Sequence, residues 1–275
     1  MLTLAAVQAE ALPGEVERNV ASAARWVRRA AEAGADVVLF PEAFVTGYDD
    51  QVFARALPRL DEDRWVAPLQ AAVEETGAVV VLNTALSGAG AARLADVVLA
   101  PGERPVAAYA KQHLYASERH RFVAGEGGAS LVVAERRLGL AVCYDANFPE
   151  HAADAAADGV EAYLCSGAFF PGGERRCELH MAARALDNGI YVAFAGLVGA
   201  PSSFIGGTAI YDPFGTAVAR VEGGEGLAIA ALDPDLIAQA RAGQRMWAER
   251  RADLGVRSVR RADVKLARPG TESLP

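Results

Sequence analysis

Residues 138–150 read LGLAVCYDANFPE. An apolar run of strand length ends at Cys143, turns polar, passes Phe148-Pro149 and enters an Ala-rich stretch of helical character. A chain built this way delivers a thiol from a buried strand to the point where a helix is about to begin. A sulfur placed there faces the positive end of a helix dipole and free backbone N–H groups, which favour thiolate. A lone cysteine is more often a small core residue, so the other residues of the chain have to decide.

The same strand-then-helix grammar recurs. Residues 2–8 (LTLAAVQ) and 36–40 (DVVLF) are apolar strands flanking residues 15–33, where Val16, Val20, Ala23, Val27 and Ala30 fall on one helical face before Gly34. Residues 61–76 carry Trp65, Leu69 and Val73 on one face, a second helix. Strands follow at 78–86, 95–100, 106–110, 130–134, 138–143 and 160–165, with a helix at 150–158. A helix at 174–188 closes on Asn188-Gly189. Strands at 190–196, 205–211, 216–221 and 227–232 lead to a helix opening on Asp233-Pro234. Strands alternate with helices early and form hairpins later. The fold class is therefore α/β, and two mixed sheets packed back to back with helices outside fit this many strands better than one wide sheet. No linker divides residues 1–250, which read as one domain. Residues 251–275 are Arg-rich and aperiodic, a tail or dimer-contact arm.

Composition removes several functions. A net charge of −8 argues against nucleic-acid binding. No apolar run reaches membrane-spanning length, and the first basic residue is Arg18, so no cationic leader is expected. Cys143, Cys165 and Cys177 are odd in number and lack CxxC spacing, which points to a reduced, cytoplasmic protein without a zinc site. Cys165 and Cys177 read as packing residues. Among 27 Lys and Arg residues, only Lys111 and Lys265 are lysines. In a chain so biased toward Arg, a lysine marks a place where a compact ammonium is needed or where chance kept one. Lys265 lies in the tail.

Glu42, Lys111 and Cys143 each stand at or just after the C-terminal end of an expected strand, where α/β folds place chemistry. Lys111 opens a polar loop of 18 residues containing His113, Glu118 and His120, longer than a plain connection needs. A carboxylate, an ammonium and a thiol suffice for acyl transfer: attack by sulfur, proton shuttling by the acid, and oxyanion support by the cation. A Cys–His pairing with His113 or His120 is the less favoured arrangement. Asp145 suits a structural hydrogen-bonding role, and His151 and His180 fall on helices. Tyr48, Phe169, Phe170 and Phe194 are aromatic candidates for a pocket. Arg175 and Arg176 follow the loop at 166–173, and Arg175 is taken as the candidate clamp for a substrate carboxylate.

Across nearly the whole chain, the blocks AAVQ, PEAFVTGY, YAKQHLYASERHRFVAGEG, GLAVCYDANFPE, ARALDNGIYV and GTAIYDPFG stand in one order. Together they resemble the nitrilase superfamily, the carbon–nitrogen hydrolases. The resemblance implies an αββα sandwich pairing into dimers or larger assemblies, and a Glu–Lys–Cys triad without metal or cofactor. It implies Glu42 as general base and acid, Lys111 as the oxyanion-side cation and Cys143 as nucleophile. Glu118, from the pattern E-x-x-x-F-x-x-G, would position Lys111 and substrate, and Tyr144 would offer an oxyanion N–H. Cys-Tyr-Asp with Phe-Pro-Glu resembles the amidase branch rather than the Cys-Trp-Glu of nitrilases. Ala146-Asn147 departs from the basic residue often seen there. The expected activity is hydrolysis of a small linear carboxamide. An N-carbamoyl amine hydrolase and a catalytically idle scaffold are the alternatives.

Overall fold

The computed structural model describes residues 1–262 apart from 89, 247, 248 and 252. The first half of the chain forms β1 (Thr3–Glu10), α1 (Val16–Glu32), β2 (Val37–Leu39), the one-turn helix α2 (Asp50–Phe53), α3 (Ala67–Thr76), β3 (Val79–Ser87), β4 (Ala92–Leu99) and β5 (Val106–Ala110). The second half forms β6 (Ser130–Val133), β7 (Arg136–Val142), α4 (Pro149–Ala157), β8 (Ala162–Gly167), α5 (Glu174–Asn188), β9 (Tyr191–Gly199), β10 (Phe204–Ile205), β11 (Ala209–Tyr211), β12 (Ala217–Arg220), β13 (Gly226–Ala231) and α6 (Pro234–Gly243).

The strands make two mixed layers. One runs β5-β4-β3-β2-β1-β13, with β1, β2 and β3 parallel. The other runs β6-β7-β8-β9-β11-β12, with β7, β8 and β9 parallel. Among the described residues, strand pairing joins them only where the end of β1 meets the end of β9, Ala9 beside Leu197 and Glu10 beside Val198.

Side-chain alternation along the strands explains the layering. Leu4 and Ala6 of β1 face the gap between the sheets, where they meet Leu140 of β7, Leu164 of β8 and Ala193 of β9. Ala5 and Val7 point the other way, against Val20, Val27 and Leu69 of α1 and α3. On the far side, Tyr163, Cys165 and Phe194 pack under Ala152, Met181 and Ala185 of α4 and α5. Three apolar layers thus separate helix, sheet, sheet and helix, the αββα sandwich. Each strand that reads as a continuous apolar run is covered on both faces.

Local departures from the sequence reading have local causes. The expected strand at 205–211 is split into β10 and β11 because Gly206 and Gly207 take φ of 67° and 80°, a conformation that breaks a ladder and suits glycine. The second helix starts at Ala67, not residue 61, because Pro68 fits only a first turn. A short 3₁₀ turn, Asp63–Trp65, precedes it. Beyond α6, Arg251 and residues 253–262 form no helix or strand and are exposed. Lys265 and the remainder of the expected arm lie outside the described residues. Among the described residues no helix is long and apolar enough to cross a membrane.

Candidate active site

Glu42 comes from the loop after β2, Lys111 from the end of β5 and Cys143 from the end of β7. The first two belong to one sheet and the third to the other. Lys111 and Glu42 are fully buried and paired, Nζ to Oε1 at 2.7 Å. The same Nζ reaches Oε1 of Glu118 at 2.6 Å. Glu118 is held in turn by the Tyr48 hydroxyl, which donates to Oε1 at 2.6 Å, and by the Tyr115 backbone N–H, which donates to Oε2 at 2.7 Å.

The Lys111 segment is fixed by close backbone packing. The Gly125 N–H donates to the Lys111 carbonyl at 2.9 Å. A Cβ at Gly125 would collide with the Ala110 carbonyl, so the glycine that ends the E-x-x-x-F-x-x-G pattern is there for contact, not for a turn.

Cys143 occupies φ +47°, a region non-glycine residues rarely adopt. It opens a 3₁₀ turn, Cys143–Asn147, and the regular helix begins only at Pro149. Asp145 locks this turn. Its carboxylate accepts from the backbone N–H of Val142 (3.0 Å) and His113 (2.8 Å) and from the Tyr109 hydroxyl (2.7 Å), with the His113 ring at 2.9 Å. Burial works against its charge, but these partners hold its pKa below the ordinary value. From the other side Arg184 of α5 donates to the Ala146 carbonyl at 2.8 Å.

The surroundings of the sulfur work against the thiolate that its position suggests. Burial, then the charge of Glu42, push the Cys143 thiol well above its ordinary pKa, and neither Lys111 nor the Ala168 backbone N–H offsets them. Burial thus favours the protonated form of this sulfur, beside a carboxyl group that can take its proton. Burial raises Glu42 to about 7, against the lowering effects of Lys111 and of the Cys143 thiol as a hydrogen-bond donor. Among the described residues its Oε2 has no partner of full hydrogen-bond geometry. Lys111 is depressed by burial but raised more by Glu42, Cys143 and Glu118, so it stays an ammonium.

A narrow cavity of about 30 Å³ opens onto the sulfur, lined by Tyr48, Tyr115, Glu118, Cys143, Tyr144, Asn147, Ala168, Phe169, Phe170 and Arg176. Tyr48, Tyr144, Phe169 and Phe170 are thus among the residues that line it. Phe194 packs behind Phe169, ring centres 5.7 Å apart, in the core. Arg175 does not line the cavity: it points to solvent and pairs with Glu178 at 3.0 Å. Its neighbour Arg176 does, with its guanidinium 5.9 Å from the Phe169 ring centre. The phase of a helix start cannot be read to one residue from sequence. Asn147 and Tyr115 were missed too, although the departure at Ala146-Asn147 was a signal. His113 stacks on Phe148 at 4.0 Å, and His120 is exposed beside Asp50. Cys165 of β8 and Cys177 of α5 are both buried in the apolar layer between the second sheet and the helices α4 and α5. Among the described residues no cluster of three or more His, Cys, Asp or Glu is arranged to hold a metal.

Comparison with known proteins agrees with this geometry. Residues 3–242 match the carbon-nitrogen hydrolase family. The chain is 29% identical over 270 residues to a chloroplastic omega-amidase of Arabidopsis thaliana, covering 90% of this chain and 73% of that one. It is 30% identical over 234 residues to a deaminated glutathione amidase of Escherichia coli O157:H7, covering 82% and 88%. Among solved structures, a mutant of the Nesterenkonia AN1 amidase from the nitrilase superfamily superposes with a TM-score of 0.78 at 28% identity, covering 88% of this chain and 95% of that one. Fold and relatives converge: the chain belongs to the carbon–nitrogen hydrolases of the nitrilase superfamily.

Proposed function

We propose that this enzyme is an amidase that converts a small linear carboxamide to a carboxylate and ammonia through a thioester on Cys143. The carrying observation is the buried Glu42–Lys111 pair acting on Cys143, which lines a narrow, aromatic-walled cavity. Glu42 takes the thiol proton as sulfur attacks the carbonyl carbon. Lys111 has three N–H donors, two committed to Glu42 and Glu118; the third, with the Tyr144 backbone N–H, supports the oxyanion. Glu42 hands the proton to the leaving nitrogen, the C–N bond breaks and ammonia departs. Water, deprotonated by Glu42, then attacks the thioester; the C–S bond breaks and the proton returns to sulfur.

Arg176 at the cavity wall favours an amide that carries a carboxylate away from the scissile bond, the monoamide of a short dicarboxylate. The omega-amidase relative is consistent with that class. The test is a panel of short neutral amides, dicarboxylate monoamides and ureido compounds, scored for ammonia and carbon dioxide. Ammonia from monoamides, a covalent acyl adduct by intact mass and no turnover in Cys143→Ala support the reading. Carbon dioxide from ureido compounds alone identifies a carbamoyl hydrolase, and unchanged turnover in Cys143→Ala removes the thioester.

A further inference from the structure

The base and the nucleophile come from different sheets, and their spacing is set across the gap between them. One buried acid outside the reacting set lies on that gap. Asp96 of β4 is fully buried and stands opposite Asn83 of β3 in the strand register. The Asn83 side-chain amide donates to Asp96 Oδ1 at 2.8 Å. Its oxygen accepts from the Ala43 backbone N–H at 2.8 Å, and the Asn83 carbonyl accepts from Phe44 N–H at 2.9 Å. Asn83 therefore holds the two residues that follow Glu42, one of which, Ala43, sits at φ +51°. Asp96 Oδ1 also faces the Ser166 hydroxyl of β8, in the other sheet, at 3.5 Å. Next in the chain, the Gly167 carbonyl accepts from Glu42 N–H at 3.4 Å, and the Ala168 backbone N–H is near enough to the Cys143 sulfur to favour its ionised form.

We infer that Asp96 is a positioning residue: through Asn83 on one sheet and Ser166 on the other, it fixes the separation of the Glu42 carboxylate from the Cys143 sulfur. This rests on the reading of Glu42 as the base that accepts the thiol proton. Its charge state fits the role. Burial raises Asp96 to about 8, against the Asn83 and Ser166 hydrogen bonds, with the charges of Asp145 and Glu42 adding to the rise. Its Oδ2 is buried without a hydrogen-bond partner among the described residues. At pH 7 it is largely the neutral acid, so an amide of the same shape substitutes for it and a short side chain does not.

The test is the rate at which iodoacetamide alkylates Cys143 between pH 6 and 9, with melting temperature as a control for folding, in the unaltered enzyme and in Glu42→Gln, Asp96→Asn, Asp96→Ala and Asp96→Ser. Alkylation needs no assigned substrate. Glu42→Gln should slow it at least tenfold at pH 7. Asp96→Ala should also slow it about tenfold, whereas Asp96→Asn should stay within threefold of the unaltered rate. If Asp96→Ala does not fold, Asp96→Ser, which keeps a buried hydroxyl but cannot span to Asn83, should show the same loss. Unaltered alkylation in folded Asp96→Ala or Asp96→Ser overturns the proposal. Unaltered alkylation in Glu42→Gln overturns instead the base reading beneath it.

Discussion

The Nζ of Lys111 lies 2.6 Å from Oε1 of Glu118, as close as it comes to the base Glu42 at 2.7 Å. One ammonium is shared by two buried carboxylates, and the charge of Glu118 raises the pKa of Glu42. Glu118→Gln keeps the Tyr48 hydrogen bond and removes that charge. The acidic limb of kcat/KM should move to lower pH, and kcat should fall roughly 10²-fold because Glu42 becomes a weaker base. A pH–rate profile of the variant checks both; an unmoved limb would separate Glu118 from the titration of Glu42.

In the unaltered enzyme the working form of the set has Glu42 ionised and Cys143 protonated. With Glu42 raised to about 7, kcat/KM should rise as pH climbs through neutrality and level off above it. The limb belongs to the coupled set rather than to one residue. A limb centred near the ordinary carboxyl value would contradict the burial argument.

Replacing Lys111 by Met leaves Glu42 and Glu118 buried without their cation. The folded-state pKa of Glu42 then lies further above its unfolded value of 4.5. A carboxyl raised in this way favours the folded state below its unfolded pKa and loses that contribution as pH rises. The variant should be less stable by about 3–5 kcal/mol at pH 7, and the loss should shrink toward pH 5. Denaturant melts at the two pH values measure it.

Arg176 and Arg175 are adjacent in sequence and opposite in placement. Arg176→Gln should raise KM for a dicarboxylate monoamide at least tenfold, about 1.4 kcal/mol, and leave neutral amides unchanged. Arg175→Gln should change neither, since its partner is the exposed Glu178. Steady-state kinetics on paired charged and neutral amides distinguish the two.

Glu42, Lys111 and Cys143 were legible in the sequence because each follows an apolar run and precedes a break in periodicity, so topology alone brings them to one rim. The two-sheet sandwich was legible for a similar reason: strands such as residues 36–40 and 160–165 are apolar throughout. The state of the thiol was not, since position before a helix suggests an ionised sulfur. Burial and the facing Glu42 reverse that suggestion, and both are tertiary facts. Pro149 carried the missing clue, because it moves the true helix start six residues past Cys143. Asp96 and Asn83 gave no signal: their pairing depends on the register of the β3–β4 hairpin, which polar residues inside apolar strands do not announce. Arg176 lost to Arg175 on helix phase alone.

Among the described residues the two layers pair strand to strand only at the ends of β1 and β9, while the acid and ammonium ride on one and the sulfur on the other. Neither half of the polypeptide owns a working set. During refolding from denaturant, secondary structure in each half can return before the halves dock, because the cross-layer contacts join segments far apart in the chain. Regain of turnover should therefore lag the far-ultraviolet circular dichroism signal, making catalysis a clock for the last assembly step.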